Sequence, residues 1–283
     1  MPIIPHIRLP LLLLLVLFLN GLATGQSFSA MSYNIRYASP NDGEDRWEFR
    51  REAVADLIRH YRPGFLGIQE GLEHQLLDLD EQLPGYRRIG VGRADGKAGG
   101  EFAAIYYDAS QFTPERQATT WLSASRDTAS VGWDAAMERI ATYGVFRQLS
   151  SGNQIFVLNA HYDHVGKAAR ENSSRLILQI IKEENREGLP VIVMGDLNST
   201  PDSPPITLLQ QKLDDAATPG PEGIYGPVGT FSGFQLDASL DRRIDYIFTL
   251  NLKASRYRHI DDRRKNGRWV SDHLPVYVQL DWK

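Results

Sequence analysis

The chain has 283 residues, 42% hydrophobic and 23% charged, an ordinary globular balance that excludes wholesale disorder and fibrous classes. Lysine and arginine total 31 against 35 acidic residues, a net charge of −4, and a mildly acidic body is a poor non-specific duplex binder because that affinity comes mainly from neutralising phosphates. The absence of cysteine excludes disulfide scaffolds, thiol nucleophiles and cysteine-ligated zinc.

Arg8 precedes the apolar run Leu9 to Leu19, and Ala23-Thr24-Gly25 then places small residues at the −3 and −1 positions of a cleavage site. The run is shorter than the roughly 20 apolar residues of a membrane anchor. A secretory signal peptide is therefore predicted over residues 1–25, with 26–283 as one exported domain, periplasmic or extracellular. Loss of Arg8 takes the net charge to −5.

Phe28 to Ile35 reads as a strand, and Trp47 to His60 carries Phe49, Ala53, Val54, Leu57 and Ile58 at helical spacing. Phe65 to Gln69 is a short apolar strand, and Leu72 to Leu83 a second helix. Tyr86 to Val91 and Phe102 to Tyr107 read as strands joined by the glycine-rich loop Gly92 to Gly100. Ala141 to Leu149 and Gln154 to His161 flank Ser150-Ser151-Gly152-Asn153, a hairpin signature. Ala168 to Glu187 is the longest helix, followed by the strand Pro190 to Met194 and by late strands at Ile244 to Phe248 and Pro275 to Leu280. Strands outnumber helices, and hairpins mix with helical crossovers. That pattern predicts an α/β sandwich of two mixed sheets packed face to face with helices outside.

Polar residues gather where these strands end. In Gly195-Asp196-Leu197-Asn198 a carboxylate and an amide lie two apart at the exit of an apolar strand, able to hold and activate a water. The same spacing also suits a turn in which Asp and Asn satisfy their own backbone. Asp272-His273 opens the alternating strand Val276, Val278, Leu280, and Asp245 sits inside an apolar strand, where an unpaired charge is costly and a histidine is the natural partner. Asn159-Ala160-His161-Tyr162-Asp163-His164 offers two imidazoles, but residues three apart on a strand face opposite ways, which argues against a histidine-based zinc site. Glu70 and Asn34 close two further strands. Oxygen donors with few histidines suit a hard cation such as Mg²⁺, bound through one or two carboxylates together with waters and substrate phosphate.

In order and spacing, Asn34, Glu70, His161, Gly195-Asp196-Leu197-Asn198, Asp245 and Ser271-Asp272-His273 resemble the endonuclease/exonuclease/phosphatase superfamily. This is the group of pancreatic-type deoxyribonucleases, abasic-site endonucleases, deadenylases, sphingomyelinases and inositol-polyphosphate 5-phosphatases. The likeness runs from Ser29 to Leu280. It implies a DNase I-like four-layer sandwich and a metal-assisted, in-line hydrolysis of a phosphate ester. It also implies roles: Glu70 and Asn34 at the metal with Asp272 at or beside it, and Asp196 orienting the attacking water. Asn198 would bind phosphate or water, His273 oriented by Asp245 would contact phosphate, and His161 would do so with Glu101 as its acidic partner and Asp163 in support. Mg²⁺ is the expected cofactor, with Mn²⁺ able to substitute, and a monomer is expected.

Gly195 through Ser203 with Asp245-Tyr246-Ile247-Phe248 is similar to the deadenylase-type branch. Tyr33-Asn34-Ile35-Arg36, Gly132-Trp133-Asp134-Ala135-Ala136 and Arg139-Ile140-Ala141-Thr142 are similar to a bacterial group. Two substrate classes stay open. One is a phosphodiester in nucleic acid, cut as a 3′–5′ exonuclease on RNA or single strands. Arg256, Arg258, Arg263, Arg264, Lys265 and Arg268, with Tyr257 and Trp269, would then guide the backbone and stack a base. The other is a small exported ester, a sugar phosphate, nucleotide or inositol phosphate, with Arg36, Arg46, Arg50 and Arg51 clamping a second anionic group. A non-catalytic binding module would be expected to have lost central motif residues, and these are intact.

Overall fold

A computed structural model describes residues 27–218 and 223–283, so the expected leader lies outside the described residues. In chain order the elements are β1 (Phe28–Asn34), α1 (Arg51–Tyr61), β2 (Phe65–Gly71), α2 (Glu73–Gln82), β3 (Tyr86–Ile89), β4 (Phe102–Asp108), β5 (Phe112–Trp121), β6 (Ile140–Gln148) and β7 (Gln154–His161). They continue with α3 (Lys167–Glu184), β8 (Val191–Asp196), α4 (Pro204–Gln210), β9 (Asp214–Asp215), β10 (Ile224–Tyr225), β11 (Asp245–Leu250), β12 (Leu252–His259) and β13 (Val276–Trp282). One sheet runs β10-β12-β13-β1-β2-β4-β3 and the other β5-β6-β7-β8-β11-β9, both mixed. No helix among the described residues is long and apolar enough to cross a membrane.

Alternation along the central strands builds the layers. In β8, Ile192 and Met194 point into the core between the sheets, while Val191 and Val193 pack with Leu176, Ile177 and Ile180 of α3. In β1, Phe28 and Ala30 enter the inter-sheet core, and Met31 and Tyr33 pack under Val54 and Ile58 of α1. Strands buried on both faces read as continuous apolar runs, and that is why they were recognisable in the sequence.

Some elements departed from expectation. The helix expected from Trp47 begins only at Arg51, because Trp47–Phe49 forms a separate 3₁₀ turn. Strand β5 lies at a sheet edge with an exposed middle and a register shift at Pro114, and β12 carries a bulge between Ser255 and Arg258, so neither shows clean alternation. Both therefore escaped a period-two reading.

The sheets are tied together just below the expected site. Asn159 of β7 donates through Nδ2 to the Ile68 and Ala104 carbonyls of the opposite sheet and accepts from Gln69 Nε2 at 2.7 Å. Gly67 makes room for it, since a Cβ there would lie 2.7 Å from Asn159 Oδ1.

His259 provides a second buried polar contact, with a consequence for stability. Its Nδ1 donates to the Pro227 carbonyl at 2.7 Å, and Nε2 pairs with the Tyr257 hydroxyl at 2.9 Å. Burial holds the imidazole down at about 4. A depressed folded-state value means that stability is full above the unfolded value near 6.5 and is lost as pH falls towards 4. Between those limits His259 should cost about 3 kcal/mol. Denaturant titrations at a series of pH values should show this acid loss in the parent protein and its removal in His259→Gln; parallel curves would refute the assignment.

Candidate active site

The sandwich brings the polar strand ends to one edge. Asn34, His161 and Asp196 terminate β1, β7 and β8, while Asp245 begins β11 directly opposite Asp196 in register. Glu70 sits on a β-bulge, where the β2–β4 register slips between Gln69 and Gly71 and its own φ is +64°, and the slip re-aims the carboxylate into the cavity. Gly195 has φ +154°, and a Cβ on it would lie 2.0 Å from the Ala160 carbonyl oxygen, so only glycine lets β8 approach β7 this closely before Asp196.

Two carboxylates face each other across Asn34. Its Nδ2 donates to Glu70 Oε1 and to Asp196 Oδ2, each at 3.0 Å, while its Oδ1 accepts the Arg36 backbone N–H at 3.0 Å. Asn34 thus sits between two of the acids where the resemblance places the metal. Glu70, Asp196 and His273 offer ligand atoms within 4.8 Å of one another. Asp272 stands outside that group, taking a 3.3 Å contact from Ser271 Oγ with Arg36 Nε at 4.0 Å.

The electrostatics decide what this group can hold. Burial and the neighbouring Asp245 push Asp196 up to about 7, against the pull of His273. Burial and Glu70 push Glu101 up to about 7 as well. Burial disfavours a charged His273, yet Asp245 and Asp196 outweigh it and hold the imidazole well above its usual range. Its Nδ1 donates to Asp245 Oδ2 at 2.9 Å, and Nε2 lies 3.8 Å from Asp196 Oδ2. A protonated imidazole lends no lone pair to a metal, and a hard cation prefers oxygen, so Glu70 and Asp196 are the better donors of the three. Two crowded carboxylates, with burial and Asp245 raising Asp196, are a donor set that a hard divalent cation fits, because the ion supplies the missing positive charge.

His161 is the opposite case. Burial and Arg139 drive its pKa well below the usual value, so the ring is neutral. Arg139 Nη1 lies 3.1 Å from His161 Nε2, which makes Nε2 the acceptor and leaves the proton on Nδ1, 3.9 Å from Glu101 Oε2. The same guanidinium donates from Nη2 to His164 Nδ1 at 2.9 Å and from Nε to Asp163 Oδ1 at 3.2 Å. Asp163 is fixed in turn by the Val165 and Gly166 N–H groups. The expectation that His161 and His164 face opposite ways is corrected: β7 stops at His161 and the turn brings His164 back to the same cavity. Sequence reasoning gave Arg139 no role, although it heads the Arg139-Ile140-Ala141-Thr142 segment quoted for its likeness to bacterial proteins.

Asn198 adopts φ +45°; its N–H donates to Asp196 Oδ1 at 3.0 Å, and its Nδ2 donates to the Tyr162 carbonyl at 3.1 Å, leaving one amide hydrogen uncommitted. The arginine clamp expected beside Asn34 is mostly dismantled. Arg36 does line the cavity, paired with Asp42. Arg46 is exposed, lies over the Phe49 ring and is not part of the cavity wall. Arg50 is fully buried and bonded to backbone carbonyls, with no face left for a ligand. Arg51 reaches Asp78 on α2. The basic stretch near the C-terminus is likewise engaged within the protein: Arg264 and Arg268 pair with Asp45, Arg258 with Asp261 and Asp262, and Arg263 covers the Trp269 ring.

These groups surround a cavity of about 550 Å³. A sequence model of the Endonuclease/Exonuclease/phosphatase family matches residues 31–273. An endonuclease/exonuclease/phosphatase family protein from Bacteroides thetaiotaomicron superposes with a TM-score of 0.86 at 34% identity, covering 91% of this chain and 98% of that one. A mannosyl-6-phosphatase from Bacteroides thetaiotaomicron VPI-5482 gives a TM-score of 0.86 at 34% identity, over 90% of this chain and 100% of that one. The human nocturnin catalytic domain shares the fold at 19% identity, with a TM-score of 0.73 over 91% of this chain and 95% of its own. No curated protein matches the chain. Motif order, two-sheet sandwich, family match and bacterial relatives agree: this protein belongs to the endonuclease/exonuclease/phosphatase family and is a hydrolase of phosphoester bonds.

Proposed function

We propose that the protein is an exported, divalent-cation-dependent phosphomonoesterase acting on a small phosphate ester of the sugar-phosphate class. The observation that carries this reading is the cavity itself, about 550 Å³ in volume, where His273 lies beside the carboxylates and Arg36 and Arg139, each held by an aspartate, line the wall and add positive charge. A terminal phosphate exposes three non-bridging oxygens and a second negative charge, which such a set of donors suits. The sugar-phosphate class follows the bacterial mannosyl-6-phosphatase at 34% identity. The nucleic-acid alternative leaned on a basic stretch whose arginines are engaged within the protein.

Glu70 and Asp196 would hold the cation, Mg²⁺ or Mn²⁺, which supplies Lewis-acid polarisation of the phosphate when bound. Asp196 accepts the proton of the attacking water and fixes its direction, with Asn34 and the Asn198 N–H holding the carboxylate in place. His273 donates to a phosphate oxygen from Nε2, its ring oriented by Asp245. His161, kept neutral, offers Nδ1–H towards Glu101 and the cavity, and the spare amide hydrogen of Asn198 completes the donors.

Incubating the protein with Mg²⁺ or EDTA tests this against hexose 6-phosphates, inositol phosphates, nucleotides, labelled RNA and single-stranded DNA. Release of inorganic phosphate from the sugar phosphates, abolished by EDTA and restored by Mg²⁺ or Mn²⁺, is the expected result. Shortening of RNA or DNA with no phosphate released from small esters would replace this reading with the diesterase one.

A further inference from the structure

A second concavity opens beside the catalytic one. Its walls are the first turn of α3, with Lys167, Arg170 and Glu171, and the segment after β8, with Ser199, Thr200 and Ser203; it encloses about 680 Å³. Asn198 lines both spaces. The two spaces therefore adjoin at Asn198.

The charges in this groove are unbalanced. Lys167 is exposed and has no hydrogen bond or ion pair among the described residues. Arg170 donates from Nη1 to the Asp163 carbonyl at 3.0 Å, and the rest of its guanidinium is uncommitted. Glu171, the acid in the wall, is neutralised by Arg175 at 2.6 Å. The groove is cationic as a result. Thr200, in the same wall, is exposed and presents its hydroxyl side chain at the groove's rim.

We propose that this groove is a second substrate subsite, which binds an anionic group, phosphate or carboxylate, carried by the alcohol portion of the ester. The preferred substrates would then be doubly anionic: sugar bisphosphates, or sugar phosphates that also bear a carboxylate. The claim rests on the phosphomonoesterase reading for what fills the first cavity. Lys167 supplies the long-range attraction, while Arg170 and the Thr200 hydroxyl supply directional bonds.

The test is a calorimetric comparison, in Mg²⁺, of ω-hydroxyalkyl phosphonates with α,ω-alkane bisphosphonates, whose C–P bonds are not hydrolysed, over a series of chain lengths, on the parent protein and on Lys167→Gln and Lys167→Glu. An assay of phosphate release from the matching alkanediol phosphate esters runs beside it. At a matched length the bisphosphonate should bind roughly tenfold more tightly than the monophosphonate, a charge-assisted contact's worth of affinity. The ratio should fall towards one in Lys167→Gln and below one in Lys167→Glu. No preference at any length, or a preference unchanged by Lys167→Glu, overturns the subsite. Lys167 is exposed, so neither variant threatens folding. A parallel arm with pTpT and TpT separates the two readings. A Lys167-dependent preference for pTpT, with no phosphate released from any alkanediol ester, would uphold the groove as an anion subsite and overturn the monoesterase assignment alone.

Discussion

Asp196→Asn is expected to lower kcat by roughly 10³-fold, in the range that a positioned general base contributes. The carboxylate is the group best placed to take the proton of a water: it ends β8, is 1% exposed, and is held by Asn34 Nδ2 and the Asn198 N–H at 3.0 Å each. The substitution keeps shape and removes charge, so a folding defect does not confound it. Stability should move the other way. Asp196 has a folded-state value of about 7 against 3.8 in the unfolded chain, so the stability tied to its protonation is present in acid and is lost as pH rises through that window. Above pH 7 the metal-free asparagine variant should therefore melt no lower than the parent. Mg²⁺ should raise the melting temperature of the parent and do so far less in the variant, because ligand binding stabilises only the form that binds. A variant retaining more than about a tenth of the parent kcat would sink the general-base assignment.

Arg50→Met is expected to cost about 4 kcal/mol, the scale of breaking a buried charged network, and to lower the melting temperature by about 10 °C. The guanidinium is wholly buried. It donates to the Asp45 carbonyl at 2.6 Å, to Ile35 at 2.7 Å, to Arg36 at 3.1 Å and to Val270 at 3.2 Å. Those carbonyls belong to the exit of β1, a 3₁₀ turn at Gly43–Asp45, and the loop that delivers Asp272 and His273. Removing the fork takes this donor from all four at once, and among the described residues only the Arg36 carbonyl keeps a second side-chain partner, Gln75 Nε2 at 3.0 Å. Arg50→Lys keeps a charge without the planar geometry and should recover less than half of the loss. Denaturant unfolding of the three proteins at pH 7 measures this directly; a loss under about 1 kcal/mol in Arg50→Met would show that the carbonyls find other partners.

The contrast between these two residues shows what kind of information a sequence carries. Asp196 was legible because the strand before it is buried on both faces and so reads as an uninterrupted apolar run, ending in a glycine that nothing else can replace. Arg50 was misread as a substrate clamp. Its position beside other arginines suggested a basic cluster, and nothing local reveals that β1 and the loop before His273 close over it. Arg139 was missed for the same reason: a lone arginine ahead of a strand has no pattern, and its importance comes from Asp163, His161 and His164 meeting it from another strand and the turn after it. The role of the basic run from Arg256 to Arg268 stayed open in the sequence, since the counter-charge of Arg264 and Arg268 at Asp45 lies more than 200 positions away in the chain.

The sequence by itself determined the two-sheet sandwich, the strand ends that carry the chemistry and the family resemblance, because these depend on period-two burial and on short motifs of neighbouring residues. Tertiary structure alone decided which imidazole is pushed towards the charged form and which towards the neutral one, which arginines face the cavity, and that a second concavity adjoins the first at Asn198. The physical reason is common to all of these: protonation, ion pairing and cavity shape depend on what lies a few ångströms away in space, and in this fold those neighbours arrive from distant strands.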